Sequence, residues 1–358
     1  MARAYNFSAG PATLPLEVLE EAQQELLDYK GTGMSIMEHS HRGKAYMAVH
    51  AEAIANTKEL LGLGDEYAVL FLQGGASMQF AMIPMNLLGE GQTADYTNSG
   101  SWAAKAIKEA KLLGNVNVAA DCGKEIPTRV PKADELNLTP GAAYLHITTN
   151  ETISGAQWKS FPKTEAPLVA DMSSDILSRP FNAQDFGLIY AGAQKNLAPA
   201  GMALVIVRKD LAERVPASVP SMLKYSTHIE NDSMYNTCPC FTIYMYMLVT
   251  RWIKKMGLDT LYAQNVDKAA RLYSAIDGSG FYKGTAVPEC RSDMNVTWRL
   301  PSEELEATFV KEALEAGFSG LKGHRSVGGI RASIYNAFPV EGVDALVSFM
   351  KDFEARNG

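Results

Sequence analysis

Short apolar runs alternate along most of this chain with longer stretches whose apolar residues recur three and four positions apart. Pro15 opens a helix that the spacing carries through Tyr29, with Leu19, Ala22 and Leu26 on one face. A second helix is predicted from Ala45 to Leu61, stopped by Gly62. From there strands and helices alternate. AVLFL (68–72) precedes a glycine turn and an apolar helix, and QTADYT (92–97) precedes the helical SWAAKAIKEAKLLG. The strands NVNVAA and AAYLHITT follow, then PLVA running into Asp171 and LIYAGA running into Gln194 and Lys195. ALVIVR (203–208) comes too soon after Lys195 for a crossover helix, which makes it an antiparallel strand. The pattern is that of an α/β chain, a mostly parallel mixed sheet wound by helices. Near Phe241 it changes to two consecutive long helices. A strand (294–300), a helix (302–316), the loop GLKGHRSVGGIRASIYNA and a closing helix with Val343, Leu346, Met350 and Phe353 on one stripe complete the chain. The expected division is a large domain over 16–259 and a small α+β domain built from 1–15 and 260–358.

Parallel strands deliver their carboxyl ends to one rim, where α/β sheets bind ligands. If a crossover or wide loop joins PLVA to LIYAGA, then Asp171 and Lys195 emerge side by side. Pyridoxal phosphate (PLP) chemistry uses such a pair: a lysine links to the cofactor, and an aspartate pairs with its pyridine nitrogen. Taken alone, the pair reads equally well as an ion pair between strand ends. Other strand ends add to it. Gln73-Gly74-Gly75-Ala76-Ser77 offers free backbone N–H groups to a phosphate, or is a plain tight turn. Asn98 to Trp102 brings hydroxyls and an indole, which serves as a stacking platform or as a core residue. Thr148 to Thr152 brings further polar groups. It is their convergence on one rim that favours a binding site. For substrate, His41-Arg42 in an early loop and His324, Arg325 and Arg331 in a late one suit a ligand with two or more anionic groups, the alternative being solvated loop charge.

Composition narrows the options further. A net charge of −7 leaves no basic excess with which to grip nucleic acid. No apolar run has the length of a membrane span, and MARAYNFSAGPATLP lacks a signal core, so the expected location is cytoplasmic. Cys122, Cys238, Cys240 and Cys290 form neither a metal-ligand spacing nor a disulfide framework.

NFSAGPATLP, SHRGK (40–44), ADYTNSGSWAAKAIKEA, NETISG (150–155), DMSSDILSRP, IYAGAQKN, SMYNT (233–237) and KGHRSVGGIRASIYNA together resemble the class-V aminotransferases of PLP fold type I. The likeness is to the members that form O-phosphoserine, and it spans essentially the whole chain. It implies that Lys195 carries the cofactor and moves the substrate proton, while Asp171 pairs with the pyridine nitrogen. Trp102 stacks on the ring and Thr152 meets the ring oxygen. Ala76, Ser77 and Gln194 hold the phosphate, joined by Asn236 and Thr237 from the second subunit of a homodimer. Arg331 takes the substrate α-carboxylate, Arg42 with His41 the distal acidic group, and His324 with Arg325 the same group from the other subunit. The reaction implied moves the amino group of L-glutamate to 3-phosphohydroxypyruvate for serine biosynthesis; some relatives also aminate the four-carbon phospho-acid of pyridoxine biosynthesis. Two departures stand out: GGASMQF where other members carry GGGRGQF, and CPC after Thr237 where many have PPT, which suggests oxidation-sensitive thiols at 238 and 240. A class-V cysteine desulfurase would need a mobile nucleophilic thiol, for which only Cys290 is a candidate. A glyoxylate-type aminotransferase would not need His324-Arg325, and a non-catalytic protein would bind no coloured cofactor.

Overall fold

The computed structural model describes residues 3–358. In chain order the elements are β1 (Tyr5–Asn6), α1 (Leu16–Gln24), α2 (Lys44–Leu61), β2 (Tyr67–Leu72), α3 (Gly75–Leu87), β3 (Thr93–Asn98), α4 (Ser101–Ala110), β4 (Asn115–Asp121), β5 (Leu145–Thr148), β6 (Asn150–Glu151), β7 (Ala156–Gln157), β8 (Leu168–Asp171), β9 (Leu188–Gly192) and β10 (Ala203–Arg208). There follow α5 (Lys209–Ala212), α6 (Tyr225–Glu230), α7 (Cys240–Met256), α8 (Leu258–Asp277), β11 (Lys283–Gly284), β12 (Asn295–Arg299), α9 (Glu303–Glu315), β13 (Phe318–Ser319), β14 (Ile330–Ser333) and α10 (Val340–Asn357).

A seven-stranded sheet in the order β2-β10-β9-β8-β5-β3-β4 forms the centre. β10 runs antiparallel to both its neighbours, and every other pairing in the sheet is parallel. Because β10 reverses between β2 and β9, the strands β2, β9, β8, β5 and β3 all point the same way. β2, β8 and β9 are buried along their whole length, which is why they read as continuous apolar runs rather than alternating ones. One core packs α1, α2 and α7 against one face of the sheet, and a second packs α3 and α4 against the other. A third core joins Phe7 to residues from Ala269 onward, and the closing helix buries Val343, Leu346, Met350 and Phe353 in it. β1 adds to β13 in parallel, so the start of the chain is stitched to its last quarter.

Two expectations need correction. The first helix ends at Gln24, not Tyr29. Leu26 and Leu27 carry the apolar spacing on but stand exposed, and without a surface to bury against that spacing does not sustain a helix. The second correction is in the late loop, where β14 forms over Ile330–Ser333 and pairs with β12; its glycine-rich approach hid a strand too short to show a period.

The turn beyond β14 is pinned from inside. Lys268 on α8 is 1% exposed, and its Nζ donates to the carbonyls of Tyr335 (2.7 Å), Ile334 (3.1 Å) and Phe338 (3.1 Å). Burial pulls its amine down to about 7. In Lys268→Met, which matches the chain length without the donors, these carbonyls lose their partner, and stability in urea unfolding should fall by roughly 3 kcal/mol. A loss below about 1 kcal/mol would mean that water replaces the amine.

Candidate active site

Adjacent parallel strands β8 and β9 bring Asp171 and the Gln194-Lys195 corner to one edge, the chain between them crossing in a wide loop with one short helical turn. Asp171 ends β8 opposite Tyr190, is buried, and accepts a hydrogen bond from the Ser173 backbone N–H at 2.9 Å. Burial raises its pKa, against the opposing pull of Lys195 and Ser173. Lys195 is partly buried and its Nζ donates to Thr152 Oγ1 at 2.6 Å. Desolvation lowers this amine to about 8, although Asp171 and Glu151 favour its charged form. A large neutral fraction near physiological pH makes it a nucleophile.

The rest of the rim closes round this amine. The Trp102 ring centroid lies 5.7 Å from Lys195 Nζ. Gly74 and Gly75 both adopt left-handed φ, +88° and +61°, and a Cβ on Gly74 would come within 2.6 Å of the Met78 side chain. That turn starts α3 with no side-chain cap, so its first N–H groups are free to meet an anion beside Ala76 and Ser77. Together these residues enclose a cavity of about 130 Å³ that also takes in Thr148, Asn150, Ser173, Ser174 and Gln194. Thr148 Oγ1 and Trp102 Nε1 are buried without hydrogen-bond partners.

Arg331 leaves β14 toward the same crevice: Nη1 donates to the Thr152 carbonyl at 3.3 Å and Nε is buried without a partner. Among the described residues no carboxylate pairs with it, which leaves a guanidinium fork available to an incoming carboxylate. Other predicted residues lie outside this cavity. Asn236 donates to Gln73 Oε1 at 2.8 Å, and Gln73 in turn donates to the Thr237 carbonyl at 2.9 Å. His41 borders a separate cavity of about 570 Å³ with Thr237, Cys238 and Cys240, and Arg42 is exposed. His324 and Arg325 border a third, of about 620 Å³. The Cys238 and Cys240 sulfurs are 4.0 Å apart. Cys290 lines another cavity, with Arg129 and Trp158, and does not border that of Lys195.

Sequence reasoning missed Ser173 and Ser174, which carry no signal beyond following Asp171, and the amino-terminal arm. Ala12 N–H donates to the Gln194 carbonyl at 2.9 Å, and a Cβ on Gly10 would come 3.2 Å from the Gln194 side chain. Among the described residues there is no cluster of metal-ligating side chains, and no helix is long and apolar enough to cross a membrane.

Comparison with known proteins identifies the family. The family model for class-V aminotransferases matches residues 4–346. The phosphoserine aminotransferase of Desulfatibacillum aliphaticivorans is 59% identical over 99% of both chains. Among solved structures, phosphoserine aminotransferase from Bacillus circulans subsp. alkalophilus superposes with a TM-score of 0.96 at 58% identity, covering 99% of both chains. The PLP-bound phosphoserine aminotransferase of Trichomonas vaginalis superposes with a TM-score of 0.94 at 43% identity, covering 98% of this chain and 100% of that one.

Proposed function

The chain belongs to the class-V aminotransferases, and from that premise we propose that it transfers the amino group of L-glutamate to 3-phosphohydroxypyruvate, giving O-phospho-L-serine and 2-oxoglutarate. The observation that carries this reading is one cavity lined by the Lys195 amine, the buried Asp171 and the uncapped start of α3. PLP fits these residues. A buried carboxylate with no cationic partner in contact, an uncapped helix start and a guanidinium paired with no carboxylate each lack a ligand of the sign or polarity that the cofactor or its substrate brings. When bound, PLP supplies an aldehyde for the lysine amine and a ring that withdraws electrons from the substrate α-carbon.

The chain's own groups do the remainder. Asp171 would hold the ring nitrogen in its protonated state, and Trp102 would cover one face of the ring and keep water from it. Thr152 would donate to the ring oxygen, and its hydroxyl already holds Lys195 Nζ in place. Ala76, Ser77 and Gln194 would bind the phosphate. Lys195 Nζ would take the proton from the substrate α-carbon and return it on the cofactor side, acting as base and then acid. Arg331 would fix the α-carboxylate. In a homodimer, Asn236 and Thr237 would complete the partner's phosphate site, and His324 and Arg325 would reach the partner's substrate beside its own His41 and Arg42. That assignment gives a purpose to Asn236, Thr237, His324 and Arg325, none of which borders its own chain's Lys195 cavity. We further propose the division into a domain over 16–259 and one over 1–15 and 260–358, and a cytoplasmic enzyme of serine biosynthesis, with the four-carbon phospho-acid of pyridoxine biosynthesis as an alternative substrate to be tested.

An absorbance titration tests the reading. The band of the lysine-linked cofactor should give way to that of its aminated form on adding O-phosphoserine or glutamate, and persist with alanine. Persistence with O-phosphoserine would remove the assigned substrate while leaving the fold.

A further inference from the structure

Glu151 has so far been given no role, yet it is fully buried beside the lysine. It ends β6, one residue before Thr152, and its side chain turns away from its own hairpin to the start of α4. Oε1 accepts from the Ala103 N–H at 3.1 Å and from Ser99 Oγ at 3.4 Å, and Oε2 accepts from the Trp102 N–H at 3.3 Å. α4 needs this. Its own cap position is Gly100, which has no side chain to offer. The helix is therefore capped by a residue 48 positions from Ala103, across the crevice. Gly100 in turn makes room for the acid: a Cβ there would lie 2.6 Å from the Glu151 carboxyl carbon. φ at Gly100 is 163°, an extended value open to any residue, so the need for glycine there is steric.

We infer that Glu151 is a positioning residue for Trp102, fixing the first turn of α4 so that the indole is held against the cofactor ring. The inference rests on the proposed reading of Trp102 as the ring-stacking group. A carboxylate suits the task because it presents two acceptor oxygens to two orphan N–H groups and places negative charge at a helix start. A glutamine has one acceptor oxygen and would turn its NH₂ toward one of the two N–H groups. Burial pushes the Glu151 carboxyl up to about 7, against the pull of the Ala103 and Trp102 N–H groups.

The test is a double-mutant cycle of Glu151→Gln and Trp102→Phe, read as PLP affinity of the apoprotein and as visible circular dichroism per bound cofactor. Glu151→Gln should weaken PLP binding about tenfold, the size of a lost cap, and reduce the dichroism. In the Trp102→Phe background it should add less than about twofold. Gly100→Ala, which displaces the same carboxylate, should reproduce the single-mutant loss. Wild-type affinity and dichroism in Glu151→Gln, or full additivity with Trp102→Phe, would overturn the inference. Failure of the wild-type protein itself to bind PLP would instead overturn the reading of the whole site.

Discussion

Replacing Lys195 by alanine is expected to lower kcat/KM by roughly 10⁴-fold or more, since it removes both the covalent attachment point and the group that moves the substrate proton. The fold should persist. The Lys195 side chain makes one hydrogen bond, to Thr152 Oγ1, and the backbone of the corner is held independently by the Ala12 and Gln194 pairing. PLP should still bind, held by Asp171 and the α3 start, but without the absorbance band of the lysine-linked form. The amine's depressed pKa adds a second readout with a definite sign. Only the neutral amine attacks an aldehyde, and the neutral fraction falls tenfold per pH unit below the pKa. The rate at which wild-type apoprotein takes up PLP should therefore rise through the acidic and neutral range and level off above about 8. Stopped-flow absorbance across this range decides it. A rate still climbing steeply past pH 9, as for an ordinary lysine of pKa about 10.4, would mean that burial does not activate Lys195. Retention of substantial turnover in Lys195→Ala would remove the lysine from the mechanism altogether.

The parts of this site legible in the sequence were those that a parallel sheet delivers by rule. An apolar strand that stops at one charged residue announces both a buried strand and an emergent side chain, and Asp171 and Lys195 were both found in that way. Even the reversal of β10 could be read, because the connection after Lys195 is too short for anything but a return. What the sequence hid depends on distance or on packing. The cap that Glu151 supplies to α4 joins two elements with no local signature, and the glycine that permits it looks like any other turn glycine. The apolar spacing that runs on to Tyr29 does not carry the first helix past Gln24, because periodicity records apolar spacing and not whether a neighbour exists to cover it. Asn236 and Thr237 could be named through resemblance alone, and for His324 and Arg325 the loop charge suggested an anionic ligand but not that it sits in a second subunit. In a single chain none of the four borders the Lys195 cavity; His324 and Arg325 line one other cavity and Thr237 a second, and their proposed work belongs to a second copy.

Asp171→Asn should reduce kcat/KM by about 10³-fold, the scale of losing one preorganised charge-stabilising group in a dry site, and it distinguishes the two meanings of the Asp171–Lys195 pair. If the pair were a structural ion bridge, removing one charge would strand the other, and the protein would lose stability. If Asp171 is instead an anion kept for the cofactor, the apoprotein bears it at a cost. Burial raises its folded pKa above the ordinary 3.8, so ionising it opposes folding. That penalty is absent below the unfolded pKa and grows as pH rises from there through the raised folded value. Asparagine has the same shape and can still accept from the Ser173 N–H, but it carries no charge to desolvate. The apoprotein of Asp171→Asn should therefore unfold at the same temperature as wild type or higher at pH 7, while the holoprotein loses stability because PLP binds less tightly. Differential scanning calorimetry of both forms reads the two signs in one experiment. An apoprotein destabilised by the substitution would return Asp171 to the role of a salt-bridge partner, whereas a catalytic loss with a steady or raised apoprotein midpoint assigns its charge to the cofactor's ring nitrogen.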